Sequence, residues 1–168
     1  MSDQSTGKPD TAALTSAAAV AAHVSIVSVR FTSFSALTSH RAFEKVPERI
    51  KPKIGFTEPQ IRRVEGSLAF TTTLLCRFAV EDGDPLSPIL DIRATAEVVY
   101  THDPAATISD ADARSFASLN VPFNAWPYWR EFAQSSLLRL GLPAFPLPLF
   151  RVADARKMLV RDDPPAVK

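Results

Sequence analysis

Between residues 64 and 102 the chain alternates apolar and polar side chains with a period of two, the signature of strands with one buried face. In 64–80 the even positions Val64, Leu68, Phe70, Leu74, Cys76, Phe78 and Val80 are apolar, while the odd ones include Glu65, Ser67, Thr71, Thr73 and Arg77. In 89–102 Leu90, Ile92, Ala94, Ala96, Val98 and Tyr100 oppose Asp91, Arg93, Thr95 and Glu97. Glu81-Asp82-Gly83-Asp84-Pro85 joins the two runs and is a turn by composition. An antiparallel pair with one apolar and one solvated face is therefore predicted. A further strand is expected over 24–37, where Val27, Val29 and Phe31 face one way and Ser28, Arg30 and Thr32 the other.

Elsewhere the spacing is helical. An alanine-rich stretch from about Thr11 to His23 favours helix by propensity. Ser109 suits an N-cap, and Asp110 and Asp112 in the following turn complement the helix dipole, which predicts a short helix to Leu119 that stops at Asn120. A second helix is punctuated by Pro127 in its first turn and Gly141 just past its end. Its stripe is Trp129, Phe132, Ala133, Ser136, Leu137 and Leu140. Residues 151–160 are expected to add a modest helix with Arg151, Arg156 and Lys157 on its polar side. Strands followed by helices indicate an α+β fold, an antiparallel sheet with helices over its apolar face.

Two segments resist this scheme. In 41–63 Arg41, Lys45, Arg49, Lys51, Lys53, Arg62 and Arg63 outnumber Glu44, Glu48 and Glu58, and Pro47, Pro52 and Pro59 limit regular structure. It reads as a long connection with a short strand at 53–56; connections of this length are uncommon and often bind something. In 142–150, Leu142-Pro143-Ala144-Phe145-Pro146-Leu147-Pro148-Leu149-Phe150, nearly every position is apolar. Its three prolines bar both helix interior and central strand. A stiff, apolar, irregular segment is either buried or kept for a partner.

Composition narrows the function. The 168 residues suit one domain, assigned to 11–160 between flexible tails at 1–10 and 161–168. With the single cysteine Cys76 there is no internal disulfide, consistent with a cytoplasmic setting, and its phase with Leu74 and Phe78 makes it a core residue. The formal charge of +1 predicts no nucleic-acid partner, and no apolar run approaches a membrane span. Catalytic signals are weak. His23, His40 and His102 are far apart, no phosphate-binding or nucleophile-elbow motif occurs, and His102-Asp103-Pro104 reads as a strand end and turn. No metal or other cofactor is expected, and no enzyme.

One stretch does carry a resemblance. Pro127-Tyr128-Trp129-Arg130-Glu131, then Arg139-Leu140-Gly141-Leu142-Pro143, then Leu147-Pro148, is similar in order and spacing to the C-terminal signature of the SecB family of export chaperones. The resemblance implies a four-stranded antiparallel sheet with one face covered by C-terminal helices. It also implies a homotetramer, a dimer of dimers in which edge strands pair across protomers. The function implied is that of an ATP-independent holdase that takes unfolded polypeptide clients in an apolar groove. Candidate client-binding residues are Phe31, Phe34, Phe43, Ile54, Phe56, Trp126, Leu142, Phe145, Leu147 and Phe150, of which only Leu142 and Leu147 lie in the matched motif. Housekeeping members carry an acidic sheet that docks a translocase motor ATPase. Here Arg93 stands between Asp91 and Glu97, and Arg30-Phe31-Thr32-Ser33-Phe34 lacks the acids of the family's first strand. The alanine-rich leading helix resembles the toxin–antitoxin-associated branch, whose client is an aggregation-prone antitoxin. Export clients and an antitoxin stay open at this point, and the alternative is a non-enzymatic adaptor that offers residues 142–150 to one fixed partner.

Overall fold

The alternating runs become the two central strands of an antiparallel sheet. A computed structural model describes residues 11–39, 41, 50–81, 88–143 and 145–160 of the chain. The elements are α1 (Thr11–Ala21), β1 (Val24–Thr38), β2 (Ile50–Phe56), β3 (Gln60–Val64), β4 (Ser67–Val80), β5 (Leu90–His102), α2 (Asp110–Arg139), a 3-10 turn Val152–Asp154 and the one-turn α3 (Ala155–Met158). The tails at 1–10 and 161–168, most of the 81–85 turn and the basic stretch 42–49 lie outside the described residues.

Strand order is β1-β5-β4-β2, with β3 also on β4. Because β2 pairs with residues 74–80 of β4 and β3 with 67–71, the two lie end to end and fill one edge position. The sheet is four strands wide and antiparallel throughout, as expected, with helices on one face. Half of the supposed 41–63 connection is thus sheet, which corrects the sequence reading. Its prolines are compatible because Pro52 stands on an edge strand and Pro59 in the break between β2 and β3. A two-residue hairpin at Glu65-Gly66, with Gly66 at φ 67°, places Val64 in β3 opposite Ser67 rather than at the start of β4.

On β4 and β5 the phase is as expected. Leu68, Phe70, Leu74, Cys76, Phe78, Leu90, Ile92, Ala94, Ala96, Val98 and Tyr100 are all buried. In β1 two bulges change it. The register shifts between Ile26 and Ser28 and again between Phe31 and Ser33. Each inserted residue flips the faces. Ile26, Val29, Phe31, Phe34 and Ala36, opposite Tyr100, Val98, Ala96, Ala94 and Ile92, therefore share the helix side. Val27, expected in phase with Val29 and Phe31, falls in a bulge and is exposed.

The two helices expected at 109–119 and from 127 onward are one continuous 30-residue α2, with Pro122 and Pro127 inside it. Each internal proline costs roughly 3 kcal/mol. Full burial of a large apolar side chain contributes about 1.5–3 kcal/mol, and Val121, Trp126, Trp129 and Leu137 are all buried on this helix. Tertiary packing outweighs the local penalty. The start is as expected: Ser109 Oγ accepts from Asp112 N–H at 3.1 Å. Asp112 also ties in α1, because Ser16 Oγ donates to its carboxylate at 2.6 Å. The rings of Phe70, Tyr100 and Phe116 close the core beneath, at centroid distances of 5.0–6.0 Å.

The opposite sheet face is polar. Asp91, with 1% of its side chain exposed, accepts from Arg77 and Arg93, both at 2.9 Å. Glu97 accepts from Arg30 and Arg62. The neighbouring Cys76 thiol is pushed up to about 12, first by burial and then by the Asp91 charge, so it stays protonated and unreactive.

Candidate functional site

The end of α2 sets the course of the apolar segment. Gly141 adopts φ 72°, Gly141 N–H bonds Leu138 C=O at 3.1 Å, and Leu142 N–H bonds Leu137 C=O at 3.0 Å. This is a Schellman cap, which turns the chain back beside its own helix. Prolines 146 and 148 have no N–H to offer, so the segment is held through its carbonyls. Arg130 Nε donates to Leu147 C=O at 3.1 Å and Trp126 Nε1 to Pro148 C=O at 2.8 Å. The returning chain ends against the far sheet edge, where Val160 N–H bonds Phe56 C=O at 2.9 Å. The helix expected over 151–160 is therefore only the 3-10 turn and α3, because its last residues join β2 instead.

The ten candidate residues divide by burial. Phe56, Trp126, Leu142 and Leu147 are buried within the folded chain. Phe31, Ile54, Phe145 and Phe150 are half-buried, Phe34 is 68% exposed, and Phe43 lies outside the described residues. Phe150 gathers one cluster, its ring within 6.3 Å of those of Phe56, Phe123 and Trp126. Phe31 and Phe34 meet on Phe132 at the β1 side. Phe145 packs separately, edge-on to Phe78.

Two depressions flank the end of the returning segment. The first, of about 450 Å3, is lined by Ile26 and Val29 of β1, by α2 from Phe123 to Arg130, and by Leu149 and Phe150. The second, of about 610 Å3, is lined by Pro52 and Ile54 of β2, then Pro148, Leu149, Arg151, Asp154 and Met158. Leu149, 71% exposed, borders both and forms the ridge between them. Of the candidates, Trp126 and Phe150 line the first and Ile54 the second. Pattern reading missed Ile26, Phe123, Tyr128 and Leu149. Phe123 and Tyr128 fall off the buried stripe of α2, and that mismatch was the available signal. Ile26 needed the bulge.

The surface around both depressions is mainly apolar and aromatic. His102 Nδ1 lies 3.0 Å from the Asp103 backbone oxygen, and the Asp103 carboxylate caps the turn at Ala105 N–H, so the two form no acid–base pair. Among the described residues no helix is long and apolar enough to cross a membrane.

The architecture is that of the SecB-like chaperones. The structure is similar to the Mycobacterium tuberculosis SecB-like chaperone Rv1957, solved in complex with a ChAD peptide from the Rv1956 HigA1 antitoxin. The TM-score is 0.69, with 18% sequence identity over 82% of this chain and 97% of that one. A protein of unknown function from Streptococcus agalactiae overlaps at a TM-score of only 0.32 and 10% identity, over 75% of this chain and 97% of that one, which carries no argument. No protein-family model matches the sequence, and no curated protein does. The likeness is one of fold.

Proposed function

We propose that this chain is an ATP-independent holdase that takes non-native polypeptide into its apolar trough and keeps it from aggregating. The observation that carries this is the set of exposed apolar side chains around the two depressions, Ile26, Phe123, Tyr128 and Leu149, all held on braced backbone. Exposed apolar patches mark partner surfaces, and a proline-stiffened wall loses little entropy when a partner docks. Binding the unfolded client suffices by mass action, with no cofactor and no covalent step. Phe31, Phe34, Ile54, Phe145 and Phe150 supply further contact, with Phe56, Trp126, Leu142 and Leu147 backing them from the core.

The fold shared with a chaperone that holds an antitoxin peptide supports a polypeptide client, an antitoxin in particular. The polar sheet face points the same way. Asp91 and Glu97 are each neutralised by two arginines, which leaves little for a translocase motor that seeks carboxylates. Preproteins for export are the other client source. The working form is a cytoplasmic homotetramer, a dimer of dimers. The free edge of the 15-residue β1, with Val27 and Leu37 exposed, would otherwise stay open to adventitious strand pairing.

The test is suppression of light scattering from a chemically denatured, unrelated protein, at stoichiometric chaperone and without nucleotide. Protection is expected. No protection, together with tight capture of a single native partner, would replace the holdase by an adaptor. Light scattering of the purified protein should return the tetramer mass; a monomer would refute the assembly.

A further inference from the structure

Among the described residues, Arg130 is the only charged side chain lining the depression between β1, α2 and the returning segment. It is half-buried, and its one bond among the described residues runs from Nε to the Leu147 carbonyl. That bond fixes the plane of the guanidinium and leaves its terminal nitrogens without hydrogen-bond or ion-pair partners among the described residues. The rings of Phe123, Trp126, Tyr128 and Phe150 border the same space. A cation so placed has given up part of its hydration without gaining a counter-ion, and a carboxylate that meets the planar fork restores both charge balance and hydrogen bonds.

We propose that Arg130 reads a carboxylate on the bound segment, so that the trough selects clients with an apolar or aromatic residue beside an acid. The acid is an Asp or Glu side chain or the free end of a chain. The inference rests on the client-binding function above and adds a selectivity that apolar burial alone lacks. Lysine would serve poorly at this position. Its Nζ is a point charge with no second nitrogen to brace on Leu147 while a fork faces the ligand.

Three fluorescein-labelled ten-residue peptides with one Phe-Leu core test it by anisotropy. One carries glutamate beside the core, one glutamine at that place, both with blocked ends; the third keeps glutamine and ends in a free carboxylate next to the core. The wild-type protein should bind the glutamate peptide about tenfold tighter than the glutamine peptide, a gap that narrows between 50 and 300 mM salt. Arg130→Gln should bind both as the wild type binds the glutamine peptide. Arg130→Lys should recover only part of the gap, and Arg151→Gln should keep it. A gain confined to the free-acid peptide supports the proposal with the chain end as the source. Equal binding of all three by the wild type overturns it and leaves the trough standing; no binding of any peptide removes the trough itself. Because Arg130 also braces Leu147, the wild-type comparison decides even if Arg130→Gln fails to fold. A gap lost in Arg151→Gln and kept in Arg130→Gln also overturns it.

Discussion

Leu147 and Leu149 sit two residues apart in the same proline-rich segment, yet one is 1% exposed and the other 71%. If Leu147 belongs to the core and Leu149 to the binding surface, truncating each should damage a different property. Leu147→Ala empties a packed site, which costs about 2–5 kcal/mol. For a domain of this size that lowers Tm by roughly 6–12 °C at a loss of ~3 kcal/mol. Leu149→Ser removes a side chain with under a third of its area in contact, so its stability cost is about 0.6 kcal/mol from the transfer value of a whole leucine. In a complex the same leucine would lose its remaining exposure, worth ~1.5 kcal/mol, and its loss should weaken client binding about tenfold. Calorimetry or urea unfolding measures the first quantity, and anisotropy of a labelled unfolded segment the second. Two results would refute the assignment: Leu149→Ser melting as low as Leu147→Ala, or Leu149→Ser holding client as tightly as the wild type.

Three further outcomes follow from the geometry. A Cβ on Gly55 would lie 2.2 Å from the Met158 carbonyl oxygen, so Gly55→Ala should cost about 1–3 kcal/mol and speed amide exchange at 155–160. Asp91→Ala strips two guanidiniums, themselves 7% and 10% exposed, of their shared carboxylate; urea midpoints should report a loss of about 3–5 kcal/mol, and a change below about 1 kcal/mol would show the cluster to be solvated. The hydrogen bond from Arg30, with Arg62 beside it, holds the Glu97 carboxyl below the usual glutamate range. A depressed carboxylate stabilises the fold above its unfolded pKa of about 4.3 and loses that contribution as pH falls through the folded value. Glu97→Gln should therefore flatten the acid side of the stability profile below about pH 4.3. Some slope should remain from Asp110 and Asp112, held low by Arg63 and by the Ser109 and Ser16 hydroxyls.

Much of the fold is local information. The period of two in β4 and β5, the Ser109 cap and the glycine that ends α2 each follow from steric and hydrogen-bonding rules that act within a few residues, and the structure agrees with all three. The short resemblance at 127–148 pointed to the architecture that the fold comparison bears out. Position along the chain could not reveal two other features. Asn120 reads locally as a helix stop and Pro127 as a helix start, and only burial of Trp126 and Trp129 against the sheet carries α2 through both. The bulges of β1 depend on matching a long strand to β5, so the face shared by Ile26, Val29 and Phe34 exists only in the paired sheet.

Composition by itself determined that residues 142–150 are stiff and apolar, because proline rotation and side-chain polarity are properties of single residues. Which of those side chains are swallowed and which stand open was decided by the tertiary structure. Bonds from Trp126 and Arg130 to successive carbonyls set the roll of the segment against α2, turning Leu147 inward and Leu149 out.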